Sequence, residues 1–330
     1  MDSKKEYIFL AILVIIIKYE FILTMHFIKQ LIQLIKEKRS VVSMGLDPRM
    51  DKEGEIPKYF SDEYNNPDKI ILEFNKELIE NTFDLIPVVK PQIAFYEKYE
   101  ALVALKETIK YAHKNDLLVI LDSKRNDIGS TSEAYAYSMF KNFNADACTI
   151  NAYLGLDGVK PFLEYKEKGV FVLIKTSNPS SNDFQNLFST RIEDVPDEKF
   201  EYKVENKILK RNYINMAELV RKWSIPLQKF NSFGNLGAVV GATYPIELRE
   251  IRNIVKSSFI LIPGYGAQGA QAKDIKYGFF EKGLGGIVNS SRGIIYAYSK
   301  SKKFTEKEFT KAARDEIVNM NQKINKEIGI

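Results

Sequence analysis

A (β/α)8 barrel is the fold this sequence predicts, and three observations predict it. Eight short apolar runs recur between residues 41 and 289. Most are separated by stretches with apolar spacing of three and four, the mark of amphipathic helices. Almost every run ends in a polar or glycine-rich signal, and barrels gather such ends on one face. A doubly wound open sheet would need fewer strands, and no glycine-rich dinucleotide fingerprint follows the first run.

The elements follow in order. Phe27 to Ile35 opens an amphipathic helix, and Val41 to Leu46 is a first strand ending at Asp47 and Pro48. A helix over about 68–82 leads to the second strand, Leu85 to Lys90, and another spans about 98–114. The third run, Leu117 to Ile120, leads into Leu121-Asp122-Ser123-Lys124-Arg125-Asn126-Asp127-Ile128-Gly129. A helix over about 130–142 precedes strand four, Ala147 to Asn151, and strand five is Gly169 to Ile174. Strands six to eight are Leu236 to Gly241, Phe259 to Ile262 and Gly285 to Asn289, and a last helix spans about 305–325. The longest gap, about 177–235, is polar at first and then helical from Met216 to Trp223. Gaps of this length are lids or insertions.

Residues 25–330 therefore read as one catalytic barrel with an enlarged segment at about 177–235. Residues 1–24 read as a hydrophobic extension outside it. Tyr7 to Ile17 is an eleven-residue apolar run ended by Lys18. A bilayer span needs about 20 residues, and no small-residue cleavage site follows cleanly. A weak membrane anchor is the alternative for this run, and the membrane reading is not favoured.

Composition narrows the function classes. Of 330 residues, 45% are hydrophobic, enough for a large core. The net charge of +5 is spread thinly, and without a dense basic stripe nucleic acid is a poor partner. Cys148 is the only cysteine, so no intramolecular disulfide forms, which favours the cytoplasm. It sits in a buried strand and reads as a small core residue. His26 and His113 lie on helices far from any motif, at surface or boundary positions. One Cys and two isolated His leave a zinc site without its usual ligands.

The chemistry concentrates after strand three. Side chains alternate along a strand, so Asp122 and Lys124 point to one side at its carboxyl end, and Asp127 follows in the loop. Close carboxylates raise one another's pKa, and a lysine between them lets both stay ionised. A surface salt-bridge cluster is the plainer alternative. Pro263-Gly264-Tyr265-Gly266-Ala267-Gln268-Gly269 follows strand seven, and Ser290-Ser291-Arg292-Gly293 follows strand eight. Glycines let backbone amides approach an anion, arginine adds a charged fork, and this loop pair commonly holds phosphate in barrels. The alternative is that the glycines only serve turns.

With these motifs in place the chain resembles orotidine 5′-phosphate decarboxylase. Asp122-x-Lys124-x-x-Asp127-Ile128-x-x-Thr131 matches the family's central signature. Gly45-Leu46-Asp47-Pro48, Val89-Lys90-Pro91, Thr176-Ser177-Asn178-Pro179 and the Pro263–Gly269 loop fall in the family's order. The resemblance covers about 38–300 and looks closest to the longer-chain branch, with its enlarged segment after strand five. It implies a cofactor-free homodimer of barrels that converts orotidine 5′-monophosphate to uridine 5′-monophosphate and carbon dioxide in pyrimidine synthesis.

The resemblance also implies roles. Lys124 is the catalytic ammonium, and Lys90, Asp122 and Asp127 complete an alternating charged array. Asp127, Ile128 and Thr131 reach the neighbouring subunit's site. Asp47 binds the ribose hydroxyls, Ser177 contacts the pyrimidine, and Gln268 and Arg292 hold the phosphate. Gln92 takes no fixed role, and Tyr265 is not essential. Two rivals remain at this level: a magnesium-dependent sugar-phosphate aldolase of the same superfamily, such as hexulose-phosphate synthase, and a non-catalytic nucleotide-phosphate sensor.

Overall fold

Strand pairing closes on itself. In the computed structural model, which describes residues 26–51, 55–190, 206–266 and 269–330, β1 (Val42–Leu46) pairs in parallel with β2 (Val88–Pro91). On its other side it pairs with β8 (Gly286–Ser290), through Val42 opposite Val288. Between these run β3 (Leu118–Arg125), β4 (Ala147–Ile150), β5 (Gly169–Lys175), β6 (Phe233–Val240) and β7 (Ser258–Pro263). Each is parallel to its neighbours. The predicted eight-stranded barrel is the observed fold. Its strands are almost wholly buried, which is why the sequence shows continuous apolar runs rather than alternation.

The longer helices among the described residues are α1 (Phe27–Lys38), α2 (Pro67–Thr82), α3 (Leu102–Lys114), α4 (Gly129–Tyr137), α5 (Leu156–Leu163), α6 (Asn212–Ser224), α7 (Pro245–Ile254) and α8 (Phe309–Ile328). Local chemistry sets their ends. Asn66 caps α2 by accepting from the Asp68 amide at 2.8 Å, and Pro67 takes the first helical position, where no N–H is needed. Gly329 ends α8 in the left-handed region at φ 73.

The amino end of the barrel is closed by α1. It buries Phe27, Ile28, Leu31, Ile32 and Ile35, each contributing about 1.5–3 kcal/mol by the area removed from water. The Phe27 ring lies on Gly169 at the start of β5, where a Cβ would stand 2.4 Å from the ring, and meets Phe171 edge-on.

Two helix predictions change. The helix expected over about 98–114 is two, Ile93–Lys98 and α3, because the chain turns at Glu100 (φ 53). The helix expected over about 130–142 ends as α4 at Tyr137. It continues as a wider turn in which the Phe143 amide donates to the Ser138 carbonyl at 3.0 Å. Cys148 is fully buried, as expected. His113 is half-buried on α3, with Nε2 2.9 Å from Asp146 Oδ2, and His26 stands just before α1. The enlarged segment contributes α6, longer than predicted, and a small antiparallel pair, Phe188–Ser189 with Lys210–Arg211. Residues 1–24 and 191–205 lie outside the described residues. No described helix is long and apolar enough to cross a membrane.

Candidate active site

The site is built from strand ends at the carboxyl face. β2 delivers Lys90, which is 4% exposed, and its Nζ donates to Asp122 Oδ2 at 2.9 Å. Lys124 Nζ donates to the other carboxylate oxygen at 2.5 Å, with 43% of its side chain exposed. One buried carboxylate thus sits between a buried and a half-exposed ammonium. Burial alone would raise the Asp122 pKa. The charges of Lys90 and Lys124, and their hydrogen bonds, outweigh it and hold the carboxyl well below the usual range. Burial likewise works against the Lys90 charge, but Asp122, with Asp47 behind it, keeps its pKa above the ordinary lysine value.

Asp122 and Lys124 meet, as the sequence predicts, but not by simple alternation. The β3–β4 register shifts between Leu121 opposite Cys148 and Arg125 opposite Ile150. Lys124 itself is left-handed at φ 47, a region that costs a non-glycine residue about 1–2 kcal/mol. Thr149, on β4, donates to Asp122 Oδ1 at 2.7 Å and accepts from the amides of Ser123 and Lys124, each at 3.1 Å. The sequence offered one signal for it, a lone hydroxyl in an apolar strand.

Asp127 stays apart from these lysines within the chain. Its carboxylate accepts from the Ile128 amide at 2.8 Å, while both lysines bond Asp122. The Asp127 carbonyl packs on Gly158 of α5, where a Cβ would approach it to 2.7 Å. Ile128 and Thr131 are exposed on the same edge.

Asp47 ends β1 beside these charges. Its Oδ1 is buried without a hydrogen-bond partner among the described residues. Tyr296 fastens its backbone: the phenol donates to the Asp47 carbonyl at 3.1 Å and accepts from the Arg49 amide at 2.9 Å. Ser177 follows β5 with its backbone against Gly241 at the end of β6, where a Cβ would meet Ser177 Cα at 2.8 Å. Its loop is organised by Lys175, a residue the sequence analysis passed over. That buried ammonium donates to Ser181 Oγ at 2.8 Å, Asn186 Oδ1 at 3.1 Å and Asn182 Oδ1 at 3.2 Å, 4.3 Å from the centre of the Tyr244 ring.

Arg292 is exposed at the start of the short helix Arg292–Ile295, and Ser291 before it packs against Gly45 of β1. Gly264, Gly266 and Gly269 all take positive φ, as the loop after β7 requires. Gln268 lies outside the described residues. Gln92, left without a role by sequence, caps the helix Ile93–Lys98 by accepting from the Ala94 amide at 3.3 Å.

The arrangement can place a negative charge next to a half-exposed cationic proton donor at the carboxyl end of the barrel. The chain as a whole is similar to known proteins. A profile described as the orotidine 5'-phosphate decarboxylase / HUMPS family matches residues 40–306. The chain is 40% identical over 300 residues to orotidine 5'-phosphate decarboxylase of Petrotoga mobilis, covering 89% of this chain and 96% of that one. It is 38% identical over 298 residues to the protein of that name from Clostridium acetobutylicum, covering 88% and 96%. Among solved structures, OMP decarboxylase of Leishmania donovani superposes with a TM-score of 0.70 at 31% identity, covering 93% of this chain and 100% of that one. The chain belongs to the orotidine 5′-phosphate decarboxylase family.

Proposed function

We propose that this chain decarboxylates orotidine 5′-monophosphate to uridine 5′-monophosphate and carbon dioxide. The observation that carries the reading is the Asp122 carboxylate clamped between Lys90 and Lys124 at the carboxyl end of the barrel.

In the reaction the bond from the pyrimidine ring carbon to the carboxylate breaks, and its electron pair stays on the ring. Lys124 stabilises that carbanion electrostatically and then gives it a proton from Nζ. Solvent reprotonates the amine after product leaves, which suits its half-exposed position. Lys90 keeps Asp122 ionised, and Asp122 keeps Lys124 aimed. The unpartnered, buried Asp47 Oδ1 is matched to a ribose hydroxyl donor. Ser177 contacts the pyrimidine, and Arg292 with Gln268 holds the phosphate, whose binding energy orients the reacting end. No cofactor is required. Both Asp122 oxygens are already engaged by ammonium and hydroxyl donors, which favours this reading over a magnesium aldolase.

The working unit is a homodimer with shared sites. Its support is the edge carrying Asp127, Ile128 and Thr131. Ile128, Tyr137, Leu154 and Leu156 are exposed there, and a groove of about 1000 Å³ runs between α4 and α5 rather than over Lys124. The partner subunit's Asp127, Ile128 and Thr131 complete each site. A cytoplasmic location fits the single, buried thiol.

Loss of substrate absorbance in the presence of a chelator tests the activity. Turnover persists without added metal and falls by several orders of magnitude in Lys124→Ala. A strict magnesium requirement, or near-wild-type turnover in that variant, rejects the reading. Mixing inactive Lys124→Ala with inactive Asp127→Ala tests the shared site. About half the dimers are then hybrid, each with one intact site, so about a quarter of wild-type activity returns. No recovery, once subunit exchange is demonstrated, places Asp127 in its own chain's site.

A further inference from the structure

Three residues of β3, Asp122, Ser123 and Lys124, lie opposite the single residue Thr149 of β4. The chain there arches away from its neighbour, and the ladder that holds the strands is interrupted. An arch of this kind strands backbone amides in a buried place. Here two of them, those of Ser123 and Lys124, converge on one oxygen, Thr149 Oγ1, at 3.1 Å each. The same hydroxyl sends its proton to Asp122 Oδ1 at 2.7 Å. The Thr149 carbonyl accepts from Ser123 Oγ at 3.0 Å. Thr149 is 1% exposed, so nothing entering from solvent meets it.

We propose that Thr149 is a positioning residue for the reaction: its hydroxyl holds the β3 arch in the shape that sets Lys124 and Asp122 against each other. This rests on the reading of Lys124 as the proton donor. A hydroxyl is the group that fits. It offers one donor and two lone pairs from a single atom, and all three are used. Lys124 is held at φ 47, a conformation a lysine leaves readily once its amide loses its partner. The hydroxyl therefore acts on the ammonium through the backbone and on the carboxylate directly.

Thr149→Val keeps the shape and removes the hydroxyl, and Thr149→Ser restores the hydroxyl without the methyl. In the full chain, kcat of Thr149→Val falls on the order of 100-fold while KM and the affinity for the product nucleotide change less than about threefold. Thr149→Ser returns kcat to within about fivefold of wild type. A purely structural role moves thermal stability but not this split. The proposal is overturned if Thr149→Val keeps kcat within about twofold, if valine and serine lose equally, or if product affinity falls in step with kcat. Should Thr149→Val not fold, Thr149→Cys replaces it, since a thiol keeps the bulk and accepts poorly from amides, and the same outcomes decide. If Lys124→Ala is inactive while Thr149→Val is fully active, only the positioning role fails. If Lys124→Ala is itself active, the reading beneath it fails.

Discussion

The two ends of the barrel bury cations in opposite ways. At the amino end, Lys38 closes α1 and donates to the backbone carbonyls of Phe83 and Ile86 at 2.7 and 2.9 Å. Arg252 on α7 donates to the carbonyls of Gly278, Val255, Ser258 and Gly285, at 2.7–3.0 Å. Burial pulls both groups below their ordinary pKa, Lys38 to about 8 even though Asp116, Asp84 and Glu37 work against it. At the carboxyl end, Lys90 is buried as deeply as Arg252 but faces a carboxylate, and its pKa goes up. The amino end uses cations as multi-pronged donors that tie loops together, and their charge is a cost. The carboxyl end uses the charge itself. Barrels in general separate stability from chemistry along this axis.

Asp122→Asn probes the contrast most severely. It leaves Lys90 buried beside a neutral amide, and losing one partner of a buried pair costs about 3–5 kcal/mol. The loss depends on pH. The folded-state pKa of Asp122 is depressed, so its stabilisation is present above the unfolded value of about 3.9. As pH falls below that value, the unfolded chain binds the proton first and the contribution shrinks. Denaturant titrations from pH 7 down to 2 therefore show wild type and Asp122→Asn converging. A gap that stays constant means the charges at the carboxyl end add nothing to stability.

Arg252→Met comes next. It removes four charged hydrogen bonds to carbonyls at the amino end, for a loss of about 2–4 kcal/mol. Turnover per folded molecule is unchanged, and the loss is independent of pH between 5 and 8. A fall in kcat would break the separation between the two ends.

Lys38→Met gives the smallest effect, with the same pH sign but at the alkaline end of the scale. The folded-state pKa is lowered to about 8 from 10.5, so between these values the unfolded chain keeps a proton that the folded chain has released. Wild-type stability accordingly gains on the variant as pH rises from 8 to 10. A gain on lowering pH instead would show that the carbonyls stabilise the ammonium more than burial opposes it.

The barrel was legible because each strand is a local apolar run with a polar end, and both signals sit within a few residues of sequence. Most candidate site residues were legible for the same reason: Asp47, Lys90, Asp122, Lys124, Ser177 and Arg292 all lie in the last residues of strands or just after them. What was not legible depends on register and on distant carbonyls. The β3 arch exists only as a mismatch between two strands, so the left-handed backbone of Lys124 goes unannounced and Thr149 shows only as a lone hydroxyl in an apolar strand. Lys38 and Arg252 look like the solvated faces of amphipathic helices, because spacing along a helix says nothing about loop carbonyls converging above it. Lys175 follows the fifth apolar run directly, but its bonds run forward into a loop whose path the sequence leaves open.

One contact bears on how the protein can be handled. The Phe27 amide donates to the Glu167 carbonyl at 2.8 Å and its ring sits on Gly169, so the chain enters the barrel at the amino end. Lys90, Asp122 and Lys124 lie at the other end of the barrel. A fluorescent label or a surface tether joined at His26 itself would thus sit at the back of the barrel, on the far side from Lys124.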